Sequence, residues 1–416
     1  MASIKAIKKE VLENVKPTKH EEELLLHKAE DIINQLRKSL RKIEFTIGGS
    51  LGKGTWLRHT HDIDIYVKFP KGSNTISQKL KTALDKHFKN VELVHGSRDY
   101  YHIKENNLTI ELIPIINIEK TDDIENITDA SPFHLAYVLE HKKYQDEIRV
   151  TKQFFKANKL YGAESYIKGF SGYVLELLVI HYKSFDKFLR AAAKWKEKKV
   201  LDPKKHWKQP LRALNKSKIS SPLVLVDPVQ KDRNVASSVD KEKYDQLIII
   251  AKDFLKNPSE EYFKIKKLNI KDLKRRGKQK DLVILKAYPL KGKVDVVGAK
   301  LLKVFNHIRD ELTFNDFNLI ESDWDWDKVN PAIMWFISSK DKLPKYKKHF
   351  GPPITEKERL KSFQKKHKWY SLKLEGKAVF IEKKRKYRRI KYFIKKLIWR
   401  NKYIKEKVKK IKLKRF

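Results

Sequence analysis

The sequence predicts a multidomain protein of mixed α/β and α+β class: an N-terminal mixed sheet with helices, a mostly helical centre and an α+β C-terminal region. Three observations predict it. Residues 62–69 alternate polar and apolar side chains shortly after a Gly-Gly-Ser turn. Residues 131–199 place apolar side chains mainly at helical spacing. After a basic stretch at 264–280, mixed strand and helix signals return up to about residue 385.

The chain has 416 residues. At roughly 100–200 residues per domain this allows two to four domains, each long enough for a core. The composition, 40% hydrophobic and 11% aromatic, is that of a globular protein and not of a disordered one.

The elements follow in order. Residues 4–42 read as helical, interrupted at Pro17-Thr18, where a second helix is capped. Glu44-Phe45-Thr46-Ile47 is a strand running into Gly48-Gly49-Ser50. In 62–69, period two puts Ile63, Ile65, Val67 and Phe69 on one face and Asp62 and Asp64 on the other. A helix is expected over 77–88 and strands over 91–94, 100–103 and 108–113, with Asn106-Asn107 as a hairpin turn. Ser131-Pro132 is a helix start, with Ser131 as N-cap. A short apolar strand at 223–226 ends at Asp227-Pro228, and a helix over 240–256 ends at Asn257-Pro258. The last thirty or so residues read as a basic helix. The expected domains are 1–130, 131–263 and 264–416.

Charge narrows the function. Lys and Arg number 94 against 52 Asp and Glu, a formal net charge of +42. Self-repulsion on that scale calls for a polyanionic partner, nucleic acid before an anionic membrane. A merely solubilising or thermophilic surface would be closer to balanced in sign. The absence of cysteine excludes disulfides, thiolate zinc sites and cysteine nucleophiles. Residues 1–9 lack the apolar core of a signal peptide. The longest apolar run, 173–182, contains Glu176 and is too short to span a bilayer. A cytoplasmic protein with no membrane partner is expected.

The chemistry-bearing pattern is Gly49-Ser50, a short loop, then Asp62-x-Asp64. Glycine lets the backbone approach a triphosphate, and Ser50 with the amides after it can donate to phosphate oxygens. Carboxylates at i and i+2 of a strand point the same way, about 7 Å apart. That suits two magnesium ions roughly 3.5–4 Å apart, serving an attacking hydroxyl and a leaving group. Glu111, a single acid in the apolar stretch 109–113, is the candidate third ligand, because a lone buried carboxylate is costly unless paired or metal-bound. A decorated solvent-facing strand would explain an isolated Asp-x-Asp, but not this combination. His59-Thr60-His61-Asp62 hints at a zinc hydrolase; the metallo-β-lactamase-like pattern fails, since it needs Asp at Ile63 and His at Asp64. His59 and His61 are then loop residues near phosphate.

With these motifs the sequence resembles the archaeal, class I CCA-adding enzymes of the polymerase-β nucleotidyltransferase superfamily. The likeness is carried by Gly49-Ser50-x-x-Lys53-Gly54-Thr55-Trp56-Leu57 before Asp62-Ile63-Asp64, by Glu111-Leu112-Ile113-Pro114 and by Ser131-Pro132-Phe133-His134. It continues through Lys152-Gln153-Phe154, Tyr161-Gly162-Ala163-Glu164, Gly169 to Leu178, Asp227-Pro228-Val229 through Arg233-Asn234-Val235-Ala236 and, more weakly, Gly351-Pro352-Pro353. The resemblance implies a polymerase-β-like N-terminal domain and untemplated addition of C, C and A to the 3′ end of tRNA from CTP and ATP, with release of pyrophosphate. It implies Asp62, Asp64 and Glu111 as catalytic metal ligands. Gly49, Ser50, Lys53, His134, Lys152 and Tyr161 fall on nucleotide-binding positions, and Arg233 on the arginine that helps read the base. It also implies a homodimer whose C-terminal body and tail grip the tRNA acceptor arm.

The sequence leaves the family pattern in places. Glu111 stands where an aspartate is usual, its extra methylene moving the carboxylate by about 1.5 Å. Asp99-Tyr100-Tyr101 replaces His-Pro-Tyr, and the run 383–416 is unusually basic, an extension expected to add non-specific RNA affinity. A poly(A) polymerase or other RNA-tailing enzyme is the alternative within the superfamily. A basic RNA-binding protein on a dead transferase scaffold is the alternative outside it, although such a scaffold has no need to keep all three acids.

Overall fold

The computed structural model describes residues 3–58, 60, 62–105, 108–339 and 342–414. His59, His61 and the turn residues Asn106 and Asn107 lie outside the described residues. The chain forms two compact units, Met1–Lys266 and Lys267–Phe416. Among the described residues no helix is long and apolar enough to cross a membrane.

The first unit opens with α1 (Ile4–Val15) and α2 (Lys19–Arg37). Thr18 and Glu21 form a reciprocal capping box that starts α2, as the Pro17-Thr18 break predicts. Then come β1 (Glu44–Ile47), the one-turn α3 (Gly49–Gly52), β2 (Asp62–Phe69), α4 (Ile76–His87), β3 (Val91–Val94), β4 (Tyr100–Glu105) and β5 (Leu108–Ile116). The strands make one mixed sheet in the order β1-β2-β5-β4-β3. β2 and β5 run parallel, and the other pairs are antiparallel. The period-two pattern of β2 is realised: Ile63, Ile65, Val67 and Phe69 are buried, in one core with Ile32, Leu36, Leu80 and Leu84 of α2 and α4. β5 runs three residues past the expected 113, because Ile115 and Ile116 continue in register with Lys68 and Phe69.

The helical part contains α5 (Ser131–Glu140), α6 (Gln145–Ala157), α7 (Gly172–Tyr182), α8 (Phe185–Ala192) and α10 (Lys241–Lys256), with β6 (Lys199–Leu201), α9 (Pro210–Ala213) and β7 (Leu223–Leu225) before α10. Its core is aromatic: Phe154, Phe155, Phe170, Phe185, Phe188 and Phe254 are all fully buried. One detail differs from expectation, and another was not foreseen. Ser131 does not cap α5; it is already helical, and Ala130 precedes it without a side-chain cap. Helix α1 does not pack on the sheet, since Ile7, Val11 and Val15 belong to the helical core. Its apolar stripe is matched by α6, a preference that periodicity cannot reveal.

The second unit has α11 (Ile270–Arg276), β8 (Asp281–Tyr288), α12 (Val294–Phe314), β9 (Leu319–Asp325) and β10 (Ala332–Ser338). A second set follows: β11 (Tyr346–Pro353), α13 (Lys357–Lys366), β12 (Lys373–Glu375) and β13 (Ala378–Lys384). The chain ends with α14 (Ile390–Arg400), α15 (Lys402–Lys407) and β14 (Lys410–Leu413). One sheet has the order β14-β8-β10-β9 and the other β11-β13-β12. The basic terminal run is thus not one helix and not an appendage. Ile390, Ile394, Ile404 and Val408 are buried against α12, and β14 pairs antiparallel with β8. The isoleucines between the lysines are what dock the segment; the charge is what disguised it.

Candidate active site

The register of β2 and β5 builds the acidic row. Asp64 is paired with Glu111, and Glu111 in turn with His102 on β4. The three side chains therefore lie side by side across three strands, with Asp62 two residues before Asp64 at the exposed start of β2. His102 Nε2 lies 3.0 Å from Glu111 Oε1. The longer arm of Glu111 is thus tethered from the neighbouring strand. Burial, followed by the negative charges of Glu111 and Asp62, pushes the Asp64 carboxyl up to about 7, against the opposing pull of Lys53 and His102.

Among the described residues no three acidic or histidine side chains converge into a ready metal cluster. The donor set nevertheless fits a hard divalent cation. It is all carboxylate oxygen, and burial, with the charges of Glu111 and Asp62 added, disfavours ionisation of Asp64, a cost that a bound cation relieves. Asp62, Asp64 and Glu111 are the residues that would hold it.

Gly49 brings the backbone to this row. It has φ of +55°, and a Cβ there would overlap the Asp64 carboxylate. Its N–H donates to the Tyr66 hydroxyl at 3.3 Å. Ser50 follows within α3.

The loop after α3 is clamped by the helical part. Gln145 donates to the Lys53 carbonyl (2.8 Å) and Arg149 to the Trp56 carbonyl (3.1 Å). Lys152 donates to the Thr55 carbonyl (3.2 Å) and hydroxyl (2.9 Å). At the centre is Glu176 of α7, which accepts from Lys53 (2.9 Å), Lys152 (2.8 Å) and Thr55 (2.8 Å). Burial alone would raise the Glu176 carboxyl, yet the Lys152 and Lys53 ammoniums outweigh it and hold it at about 2. Burial lowers the Lys152 pKa against the opposing pull of Glu176, and its ammonium is spent on Thr55 and Glu176, so Lys53 is the cation of this centre that acts on Asp64. Lys156, one turn after Lys152, stands over the Tyr161 ring at 5.1 Å. Burial raises the Tyr161 phenol, and the Glu176 charge adds to it.

A second buried carboxylate gathers the remaining candidates. Asp227 accepts from His134 and Arg233, each at 3.0 Å. Tyr173 joins the two centres: its hydroxyl reaches Asp227 at 3.2 Å, and Lys53 Nζ stands 4.8 Å from its ring. Tyr173 and Glu176 are three residues apart on α7, so one helical face serves both.

The structure thus gathers the sequence candidates into an acidic row (Asp62, Asp64, Glu111 beside Gly49 and Ser50), a lysine centre (Lys53, Lys152) and an arginine–histidine centre (Arg233, His134). Tyr161 lies by the second, with Gly172 against its hydroxyl. Sequence reasoning assigned no role to His102, Lys156, Tyr173, Glu176 or Asp227. A signal existed for Glu176, the single acid in the apolar run 173–182, and for Lys156, at i+4 from Lys152.

Three family models match successive parts of the chain: a nucleotidyltransferase domain over 26–134, the second domain of tRNA nucleotidyltransferase over 146–264, and the C-terminal domain of CCA-adding enzymes over 292–412. The chain is 33% identical to a CCA-adding enzyme of Nanoarchaeum equitans over 372 residues, 88% of this chain and 90% of that one. It is 32% identical to one from Saccharolobus shibatae, covering 83% and 81%. It is 30% identical to one from Methanosarcina barkeri, covering 86% and 80%. Among solved structures, the Cid1 poly(U) polymerase with Mg and 3′-dATP has a TM-score of 0.52 at 13% identity, covering 62% of this chain and 98% of that one. That likeness is one of fold alone.

Proposed function

The chain belongs to the CCA-adding enzymes, and from that premise we propose how its residues carry out the addition of C, C and A to the 3′ end of tRNA. The observation that carries the proposal is the row of Asp64 and Glu111 in register, with Gly49 pressed against Asp64 and the Lys53 charge, held by Glu176, acting on it.

Nucleotidyl transfer in this family depends on a divalent metal and a nucleotide substrate. We assign the metal as two magnesium ions, on Asp62, Asp64 and Glu111; bound there, they supply charge stabilisation at the attacking and leaving oxygens. The rest falls to the chain's own side chains. Gly49 and Ser50 let the triphosphate approach the backbone. Lys53 and Lys152 carry the positive charge that meets the phosphates, and the pyrophosphate formed when the 3′-hydroxyl displaces it from the α-phosphate. His134, Tyr161 and Arg233 hold the sugar and base. His102 keeps Glu111 directed along the row, which accommodates the added methylene. Residues 1–130 would carry the chemistry, 131–263 the nucleotide contacts and 264–416, with its lysines, the acceptor arm. The homodimer implied by the resemblance is part of the same proposal.

The test is product length on end-labelled tRNA lacking its last three nucleotides. CTP alone should extend it by two residues, and CTP with ATP by three, with no further growth. An open-ended A tail would instead make the chain a poly(A)-type enzyme, and binding without extension a dead scaffold. Within this scheme Gly49→Ala is expected to lower incorporation about a hundredfold, because the new methyl must displace Asp64. An unfolding temperature near the wild-type value would show that the loss is local; activity within about twofold would mean that Asp64 needs no such contact.

A further inference from the structure

Asp227 is wholly buried, two residues past the end of β7. A carboxylate in that position is tolerated only if its oxygens are well matched. Here Oδ2 accepts from His134 Nε2 and Arg233 Nη1, both at 3.0 Å, and Oδ1 accepts from the Tyr173 hydroxyl at 3.2 Å and the Val229 amide at 2.9 Å. Four donors occupy it, so Asp227 has little left to offer a ligand. Its effect must pass through the groups it holds.

Those groups arrive from far apart. His134 is 93 residues earlier in the chain, on α5, whereas Arg233 is six residues later. The main chain closes the same loop: Asp227 N–H donates to the Arg233 carbonyl at 3.0 Å, Arg233 N–H to the Gln230 carbonyl at 2.9 Å, and Val226 is bridged to Asn234. Arg233 is pinned at both backbone and side chain. Its side chain stays one-third exposed, and its other guanidinium donors have no further partner among the described residues. For His134, the bond to a carboxylate places the ring proton on Nε2 and leaves Nδ1 as an acceptor. Burial lowers the His134 pKa, which favours that neutral form. Its ring lies 4.4 Å from that of Tyr173, the residue beneath Lys53.

We propose that Asp227 is the positioning residue for base selection, holding the outward donors of Arg233 and the Nδ1 acceptor of His134 as one preset pair for the incoming nucleoside triphosphate. The proposal rests on the reading above of Arg233 and His134 as nucleotide contacts. The chemistry is that of hydrogen-bond edges. Cytosine and adenine each present an unprotonated ring nitrogen beside an exocyclic amino group, whereas uracil presents N–H beside a carbonyl. A fixed arginine donor meets an acceptor in the first two bases and another donor in the third. Discrimination of this kind depends on the arginine being unable to swing away.

The experiment measures kcat/KM for CTP and for UTP on tRNA ending one cytidine short, in wild type, Arg233→Ala, Asp227→Asn and the double variant, with unfolding temperatures alongside. Asp227→Asn is expected to lower the CTP:UTP ratio about tenfold or more, as Arg233→Ala does, with no further loss in the double variant. A purely structural carboxylate would lower the unfolding temperature and both rates but leave the ratio unchanged. If Arg233→Ala lowers the ratio and Asp227→Asn does not, the inference is overturned while the reading of Arg233 stands. If Arg233→Ala leaves the ratio unchanged, that reading fails and the inference with it. Should Asp227→Asn not accumulate as folded protein, Asp227→Glu keeps the charge but shifts the carboxylate by one methylene, and an unchanged ratio in that variant overturns the inference equally.

Discussion

Asp64→Ala is expected to abolish nucleotide incorporation, by about a thousandfold or more in kcat, while tRNA binding stays within about twofold. Single-turnover extension and a gel-shift titration read the two quantities separately. Incorporation retained at a tenth of the wild-type rate would remove Asp64 from the metal site. The same carboxylate has the opposite effect on stability when metal is absent. Burial and the charges of Glu111 and Asp62 raise its folded-state value to about 7, above the unfolded one. The stability linked to its proton is complete below about pH 4 and is lost as pH rises through 7. Asp64→Asn avoids that loss. In chelator at about pH 8 the variant should be more stable than wild type by up to a few kcal/mol, and near pH 4 the advantage should vanish. Equal stability at both pH values would mean that neither burial nor the neighbouring acids penalise the Asp64 charge.

Glu176→Leu is expected to destabilise the first unit by about 3–5 kcal/mol, measured by urea unfolding. The carboxylate is fully enclosed, and its removal leaves Lys53 and Lys152 buried without a counter-charge. Converting all three together, with Lys53→Met and Lys152→Met, should restore much of the stability, because an apolar trio avoids the desolvation cost that an ion triad must offset. It should restore no activity, because the lysine charge proposed to meet the phosphates is gone. A loss below about 1 kcal/mol in Glu176→Leu would show that water reaches the lysines and that the clamp on residues 53–56 is not needed.

Glu176 and Asp227 have the same architecture. Each is a buried carboxylate that accepts from two cationic or imidazole side chains and from a hydroxyl. Each holds the side chains around it through hydrogen bonds that use its own oxygens. α7 connects them, through Tyr173 and Glu176 on one face. That helix is buried along most of its length, so the two centres share one packed frame.

The sequence by itself determined the local chemistry: the alternating strand with Asp62 and Asp64 on one face, the glycine turn before it, the helix cap at Pro17-Thr18 and the family to which the blocks belong. These depend on residues a few positions apart, where backbone period and side-chain type suffice. It misjudged the terminal segment, where lysines hid four buried apolar anchors, and it could not say which core α1 joins. Only the tertiary structure decided that Asp64, Glu111 and His102 share one row, that Glu176 holds residues more than 120 positions earlier, and that Asp227 binds His134 and Arg233 together. The physical reason is that a buried charge is tolerated where donors converge on it, and convergence is set by strand register and helix packing, which spacing along the chain does not encode.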